Sequence, residues 1–319
     1  MTITAAIVGY GNLGRSAEKL IKATEDFELF GIFSRRDNLD TQTPVYPVAD
    51  AAQYADRVDV LLLCLGSATD IPEQATGFAE HFTTVDTYDN HSKVPEHYQK
   101  MNAAAESSGH LSIISTGWDP GLFSMNRVLG QALFPQPVQN TFWGKGLSQG
   151  HSDAVRRVEG VKRGVQYTVP REDAIAEARA GEGEDIVSTE AHARMCYIVA
   201  DETDHDRIRE EVVNMPAYFA PYQTTVNFIS EEEFERDHLG MPHGGHVITT
   251  GDLGGSQQSV EFTLELESNP DFTAAAMVAF ARAASRLAEA GETGARSVLE
   301  IPLYLLSTQD HDTLLAREV

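Results

Sequence analysis

Cysteine is nearly absent from this chain. Cys64 and Cys196 are the only two, far apart in sequence, and they build neither a disulfide framework nor a zinc-binding spacing. Cys64 sits inside the apolar segment "DVLLLCLG", and both cysteines read as core residues. Basic residues are also scarce: 24 Lys and Arg face 48 Asp and Glu, a formal charge of −24. That field repels nucleic acid and anionic membrane surfaces, so neither is an expected partner. The acids fall in patches such as "GEGED" (181–185) and "SEEEFERD" (230–237), which read as solvated surface. No apolar run approaches the roughly 20 residues of a membrane span. "MTITAAIVGYG" lacks the basic-then-apolar pattern of a secretory signal. The expectation is a soluble, cytoplasmic protein without metal.

What is present is a change of rhythm near residue 120. Before it, β-branched runs alternate with helical ones: "ITAAIVG", then 12–23, "FELFGIFS", a loop, "DVLLLCL", then 72–81, "TTVDTY", then 95–108, and "LSIIST". This alternation predicts a parallel sheet covered on both faces, an α/β Rossmann-type dinucleotide-binding domain over 1–120. After it come longer extended segments, including "QNTFWGKG", "GVQYTVP", "ARMCYIVADE", "YQTTVNFIS", "GHVITTGD" and "QSVEFTLELE". Their alternation predicts an α+β domain over 121–269 with a mostly antiparallel sheet. "PDFTAAAMVAFARAASRLAEAG" predicts a helix from near Pro270 to Gly291. Residues 270–319 are a candidate to return to the first domain, although pattern alone does not place them.

Ligands of parallel α/β sheets bind beyond the carboxyl ends of the strands, which directs attention to five loops. In the first, Gly9, Gly11 and Gly14 form G-x-G-x-x-G between a strand and a helix, with Tyr10, Asn12 and Leu13 interleaved. The glycines allow a tight turn, close approach of a pyrophosphate and close helix–strand packing; a purely structural turn is the alternative. Twenty residues beyond Gly14, where an acid would hold the ribose 2′-hydroxyl of NAD, stand Ser34, Arg35 and Arg36. Guanidiniums pair with phosphate, and no carboxylate stands there to repel it, so the expected cofactor is NADP(H).

"CLGSATD" supplies Gly66, Ser67, Ala68, Thr69 and Asp70 where the pyrophosphate and nicotinamide ribose would pass, or else forms a turn. "DTYDNH" and "STGWDPG" each end a strand with a carboxylate, Asp89 and Asp119, suited to a substrate ammonium group; capping or turn formation is the alternative. In the second domain, Thr168 and a histidine-bearing glycine loop (240–252) suit a substrate carboxylate, with Arg194 as its bidentate clamp; a structural role in a loop or on a sheet face is the equal alternative for each. His243 and His246 have no third ligand at metal-binding spacing. The residues alone lead to an NADP-dependent oxidoreductase with a polar, zwitterionic substrate.

The segments "AIVGYGNLGRS", "GIFSRR", "LGSATDIPEQA", "VDTYDNH", "STGWDPG", "TFWGKGLSQGHSDAVRR", "MPHGGHVITTGD" and "NPDFTA" together resemble the meso-diaminopimelate D-dehydrogenase family over nearly the whole chain. The resemblance implies NADP-dependent, reversible oxidative deamination of the D-centre of meso-2,6-diaminopimelate. The products are ammonium and L-2-amino-6-oxopimelate, which cyclises to tetrahydrodipicolinate, a step toward lysine and peptidoglycan precursors. It implies that residues 10–13, 34–36 and 66–70 hold NADP. Asp89 and Asp119 face the D-amino centre, either accepting its proton or only orienting it. Trp118 and Trp143 shape the pocket, and Ser148, Gln149 and Gly150 contact substrate. Thr168, Arg194, His243 and Asn269 hold the L-centre. A homodimer, formed through the second domain, is implied as well. The alternatives are a reductase of the dihydrodipicolinate or saccharopine type, which leaves "LSQGHSD" and "MPHGGH" unexplained, and a non-catalytic NADP sensor.

Overall fold

The computed structural model describes residues 2–216 and 218–319. These form two compact units, one ending its first segment at Met125 and resuming over Pro270–Val319, the other spanning Asn126–Asn269.

The first segment of unit one carries β1 (Ile3–Val8), β2 (Phe27–Ser34), β3 (Val45–Pro47), β4 (Val60–Leu63), β5 (Thr84–Asp86) and β6 (Leu111–Ile114). Unit two carries β7 (Val138–Trp143), β8 (Gly146–Leu147), β9 (Arg163–Pro170), β10 (His192–Val199), β11 (Gln223–Phe228), β12 (His243–Asp252) and β13 (Gln257–Leu266), after which β14 (Gly294–Ser297) rejoins unit one. The sheet of unit one runs β14-β6-β5-β4-β1-β2-β3, with parallel pairing throughout. The strand order reverses between β1 and β4, the crevice where such sheets take ligands.

Both faces of this sheet are covered, as the unbroken apolar runs require. Along β1, Ile3, Ala5 and Ile7 enter one core, while Ala6 and Val8 enter the other. The first core is completed by the helix Asn269–Glu289, which contributes Ala274, Met277, Phe280, Ala281 and Ala284 beside Ala17 and Ile21 of the helix Asn12–Ala23. Each such fully buried aliphatic side chain contributes about 1.5–3 kcal/mol, whereas the alanines let the helix backbone approach closely. Pro270–Val319 is part of unit one. Pattern reading omitted β14, whose "GARS" carries little apolar signal, and the short β3 with its 3-10 turns over Val48–Arg57.

Unit two holds two sheets, β11-β10-β9-β8 and β13-β12-β7. Their pairings are antiparallel except for β10 and β11, which lie parallel with the helix His205–Val213 between them. The helix Leu122–Leu133 was not anticipated from the pattern. Among the described residues, no helix is long and apolar enough to cross a membrane.

A buried ion pair fixes the returning helix. Arg282 is 4% exposed; its Nε and Nη2 donate to Asp26 at 2.5 and 2.9 Å, and its Nη1 donates to the Leu306 carbonyl at 2.8 Å. The guanidinium holds the Asp26 carboxyl below its ordinary range, against the opposing effect of burial. Arg282→Met strands a carboxylate and a carbonyl, so it is expected to cost about 2–4 kcal/mol in urea unfolding. The double replacement Asp26→Leu with Arg282→Met is expected to recover part of that loss.

Candidate active site

The loop after β1 shows three different demands on glycine. Gly9 has φ +89°, and a Cβ there would stand 2.5 Å from the Cys64 carbonyl oxygen. A Cβ on Gly14 would run into the Gly9 carbonyl, so the helix could not seat against the strand. At Gly11 a Cβ would meet nothing within 4 Å, which leaves open space at the start of the helix Asn12–Ala23. Backbone N–H groups at that end favour an anion. A cleft of about 460 Å³ lies here, lined by Gly9, Tyr10 and Gly11, by Ser34, Arg35 and Arg36, and by Cys64, Gly66 and Asp70.

The arginine pair is arranged asymmetrically. Arg36 Nη2 donates to the Tyr10 carbonyl at 2.6 Å and the Arg36 N–H donates to Ser34 Oγ at 2.9 Å, so the glycine loop itself holds this side chain. Arg35 is mostly exposed and reaches Asp70 at 3.3 Å. Asp70 opens the helix Asp70–Ala79, two residues earlier than the sequence pattern suggests. Ser67 Oγ accepts from the Asp89 N–H at 3.3 Å and donates to the Thr87 carbonyl at 3.5 Å, tying that loop to the one after β5. Ala68 lines a separate, smaller cavity with Tyr88 and His97. Cys64 proves to be both core and cleft wall. Burial pushes its thiol up to about 12, so it stays protonated.

Asp86, at the end of β5, organises the next two loops. Its Oδ1 accepts from the N–H groups of Tyr88 and Ser115, each at 2.9 Å, its Oδ2 lies 2.7 Å from His97 Nε2, and its carbonyl accepts from Thr116. The loops that carry Asp89 and Asp119 are thereby anchored to one buried carboxylate. Asp89 is exposed and Asp119 half-buried, whereas Trp118 is buried edge-on against Phe123, with 5.3 Å between ring centroids.

In unit two, β10 presents Arg194 between neighbours chosen by register. Thr168 stands directly across on β9 and accepts from Arg194 Nη1 at 2.6 Å. Tyr222, just before β11, places its ring 3.9 Å beneath the guanidinium carbon. Arg194 is 7% exposed, makes no ion pair among the described residues, and its buried Nε has no hydrogen-bond partner. Burial lowers its pKa from the ordinary arginine value. An unpaired buried guanidinium costs on the order of several kcal/mol, and a carboxylate is the group that would relieve it.

The remaining candidate residues of unit two are held by a mixture of side-chain and backbone contacts. Ser148 heads the helix Gln149–Arg156, and its Oγ lies 2.8 Å from His151 Nδ1. Gln149 reaches the Met241 sulfur at 3.6 Å, and the Met241 carbonyl accepts from the Asn269 N–H at 2.9 Å. Gly146 lies so close to the His243 ring that it has no room for a Cβ. His246 faces away toward Glu261, 2.9 Å from its Oε1. Trp143 is held by His192, whose Nε2 accepts the Trp143 N–H at 2.9 Å and whose Nδ1 lies 3.1 Å from the Ser188 carbonyl. Sequence reading missed His192, His151 and Tyr222. Their signal is only cross-strand register and ring proximity, which appear once the strands are paired.

Residues 117–268 match the family model for the diaminopimelic acid dehydrogenase C-terminal domain. The chain is similar to the meso-diaminopimelate D-dehydrogenase of Corynebacterium glutamicum, 57% identical over 99% of both chains. It is similar in structure to the C. glutamicum DAP dehydrogenase in complex with DAP, with a TM-score of 0.91, 57% identity and full coverage of both chains. It also superposes over both full chains on an engineered D-amino acid dehydrogenase bound to NADP+, with a TM-score of 0.86 and 55% identity.

The two bonds to His192 fix its tautomer: Nδ1 carries the proton and Nε2 accepts, so the ring must be neutral. Burial, and then the nearby Arg194 charge, lower its pKa from the ordinary value. The unfolded chain then takes up this proton first, and stability falls as pH drops below about 6.5 toward the lower folded value. His192→Gln, which keeps an acceptor but does not titrate, is expected to show a smaller loss of melting temperature between pH 7 and 5 than the parent.

Proposed function

This chain belongs to the meso-diaminopimelate D-dehydrogenase family, and from that membership we infer its reaction and the division of labour among its residues. The reaction is the NADP-dependent, reversible oxidative deamination of the D-centre of meso-2,6-diaminopimelate. The α-carbon loses a hydride and its nitrogen a proton, giving an imine. Water adds to the imine carbon, and ammonium leaves to give L-2-amino-6-oxopimelate. In reverse, the reaction supplies meso-diaminopimelate for lysine and peptidoglycan precursors.

NADP+, when bound, supplies the hydride acceptor. The open space at Gly11, the glycine-lined cleft and the paired arginines after β2 fit a dinucleotide bearing a 2′-phosphate. Tyr10–Leu13 and Gly66–Asp70 flank the pyrophosphate, and Ser34 and Arg36 meet the 2′-phosphate. Arg35 joins them, with its partner Asp70 holding it at the rim. The observation that carries the substrate assignment is Arg194: a buried guanidinium, stacked on a ring, bonded to Thr168 and lacking a partner at Nε. It takes the carboxylate of the L-centre, with Thr168, His243 and Asn269 beside that centre.

Asp89 and Asp119 serve the D-centre. A carboxylate there attracts the substrate ammonium and accepts its proton as the C–H bond breaks, directly or through water. Trp118 and Trp143 each offer the substrate a rigid apolar face, and Ser148 to Gly150 contact it from the head of their helix. The two ends of the substrate differ only in handedness. Reading both at once lets an enzyme reject the LL and DD isomers, because a misplaced end leaves buried polar groups unpaired.

The protein acts in the cytoplasm as a homodimer. Exposed Val128, Leu129 and Leu133, all on the helix Leu122–Leu133, support a self-association surface. Sedimentation equilibrium is expected to give the mass of two chains, and Leu129→Glu with Leu133→Glu the mass of one.

Purified protein is expected to reduce NADP+ with the meso isomer and to leave the LL and DD isomers untouched. Arg194→Met is expected to raise KM for meso-diaminopimelate about 100-fold or more, with a smaller effect on KM for NADP+. Turnover of all three isomers at similar rates, or an unchanged KM in Arg194→Met, would refute the two-ended reading.

A further inference from the structure

Another buried charge lies outside the cleft. Glu18 is 8% exposed, on the inner face of the helix Asn12–Ala23 among Gly14, Ala17 and Ile21. A carboxylate in that place is costly unless it is fully hydrogen-bonded, and Glu18 is. Its Oε1 accepts from Lys22 Nζ at 2.7 Å, Thr41 Oγ1 at 2.5 Å and Thr43 Oγ1, and its Oε2 accepts from the Tyr10 hydroxyl. Burial works to raise its pKa, yet these donors outweigh it and hold the value at about 2, so the group is ionised at neutral pH.

The four donors come from three parts of the chain. Lys22 is on the same helix, Tyr10 is in the glycine loop, and Thr41 and Thr43 belong to the connection between β2 and β3. That connection starts with Arg35 and Arg36. Apart from Leu39 it is largely exposed until Thr41 and Thr43 turn inward. Thr43 N–H also donates to Thr41 Oγ1 at 3.0 Å, and the Tyr10 hydroxyl lies 3.2 Å from the Asp40 carbonyl. One end of the connection is thus latched to Glu18. At the other end, Arg36 donates to the carbonyl of the same Tyr10 whose hydroxyl meets Glu18. An apolar residue at position 18 would pack equally well but leave three hydroxyl groups without their acceptor.

We propose that Glu18 is a positioning residue for cofactor choice: by latching Tyr10 and the 40–43 segment, it sets the arginine that reads the 2′-phosphate. The proposal rests on the reading of Arg36 as a 2′-phosphate ligand. It makes Glu18 matter for NADP and far less for NAD, because only the phosphate-bearing dinucleotide depends on where Arg36 stands.

The test is direct binding of NADPH and NADH, followed by quenching of tryptophan fluorescence, in the full-length protein and in Glu18→Gln, Thr43→Val and Arg36→Met. Glu18→Gln keeps the size of the side chain but cannot accept from all four donors. It is expected to weaken NADPH binding about tenfold and NADH binding less than about twofold, with kcat at saturating NADP+ within about twofold of the parent. Thr43→Val, which removes one donor and keeps the volume, is expected to shift preference in the same direction by about threefold, and it serves if Glu18→Gln does not fold. Equal weakening of both dinucleotides in these variants would mean a merely structural role and would overturn the proposal. A lost preference in Arg36→Met with none lost in Glu18→Gln or Thr43→Val would overturn it while leaving the Arg36 reading intact. Unchanged preference in all of them would remove both.

Discussion

No side chain can stand at residue 9, and much of unit one follows from that. The peptide at Gly9 presses against the Cys64 carbonyl, and Gly14 presses on Gly9 in turn. β1, β4 and the first helix can come this close only because both residues lack a Cβ. The contact sits where the strand order reverses, so it also sets the width of the dinucleotide crevice. Everything that lines the crevice, from Ser34 on one side to Gly66 on the other, is placed relative to that touching pair of backbones.

Positive charge is handled with economy in a chain of formal charge −24. Arg35 has a carboxylate partner in Asp70, but the two cations with the most specific readings do not. Arg36 leans on a backbone carbonyl, and Arg194 on a threonine hydroxyl and a tyrosine face. A carbonyl or a π-face orients a guanidinium without neutralising it, so full charge is kept for the ligand. Arg282 shows the contrasting use: there a carboxylate saturates the guanidinium, and the pair serves packing alone.

The fold was legible wherever one local rule governed a segment. β1, β2 and the helix between them follow from apolar runs and glycine punctuation. The helix Asn269–Glu289 was visible from its alanines, but not its destination, because helical periodicity gives a buried face and not the partner of that face. β14 was illegible for the same reason: "GARS" is a strand only because the β6 edge is there to receive it. At the site, residues with a chemical signature could be nominated from the sequence, Arg36 and Arg194 among them. Thr168, Tyr10 and Ser34, which touch them, could be nominated as well, but other groups behind them could not. Tyr222 reaches Arg194 through strand register, and Glu18 looks like any charged residue of a surface helix until Thr41 and Thr43 are seen folding back onto it. Supporting residues are chosen by tertiary geometry, which leaves no local mark.

Unit one is assembled from two stretches of chain separated by the whole of unit two. During synthesis, the first 125 residues emerge with the edge of β6 uncovered and with one face of the sheet still lacking Met277 and Phe280. The gap closes only after unit two has been made. The nascent dinucleotide fold must therefore wait, with apolar surface exposed to solvent and to chaperones, for much of the time it takes to translate the protein. Unit two, whose strands are contiguous in sequence, faces no such delay.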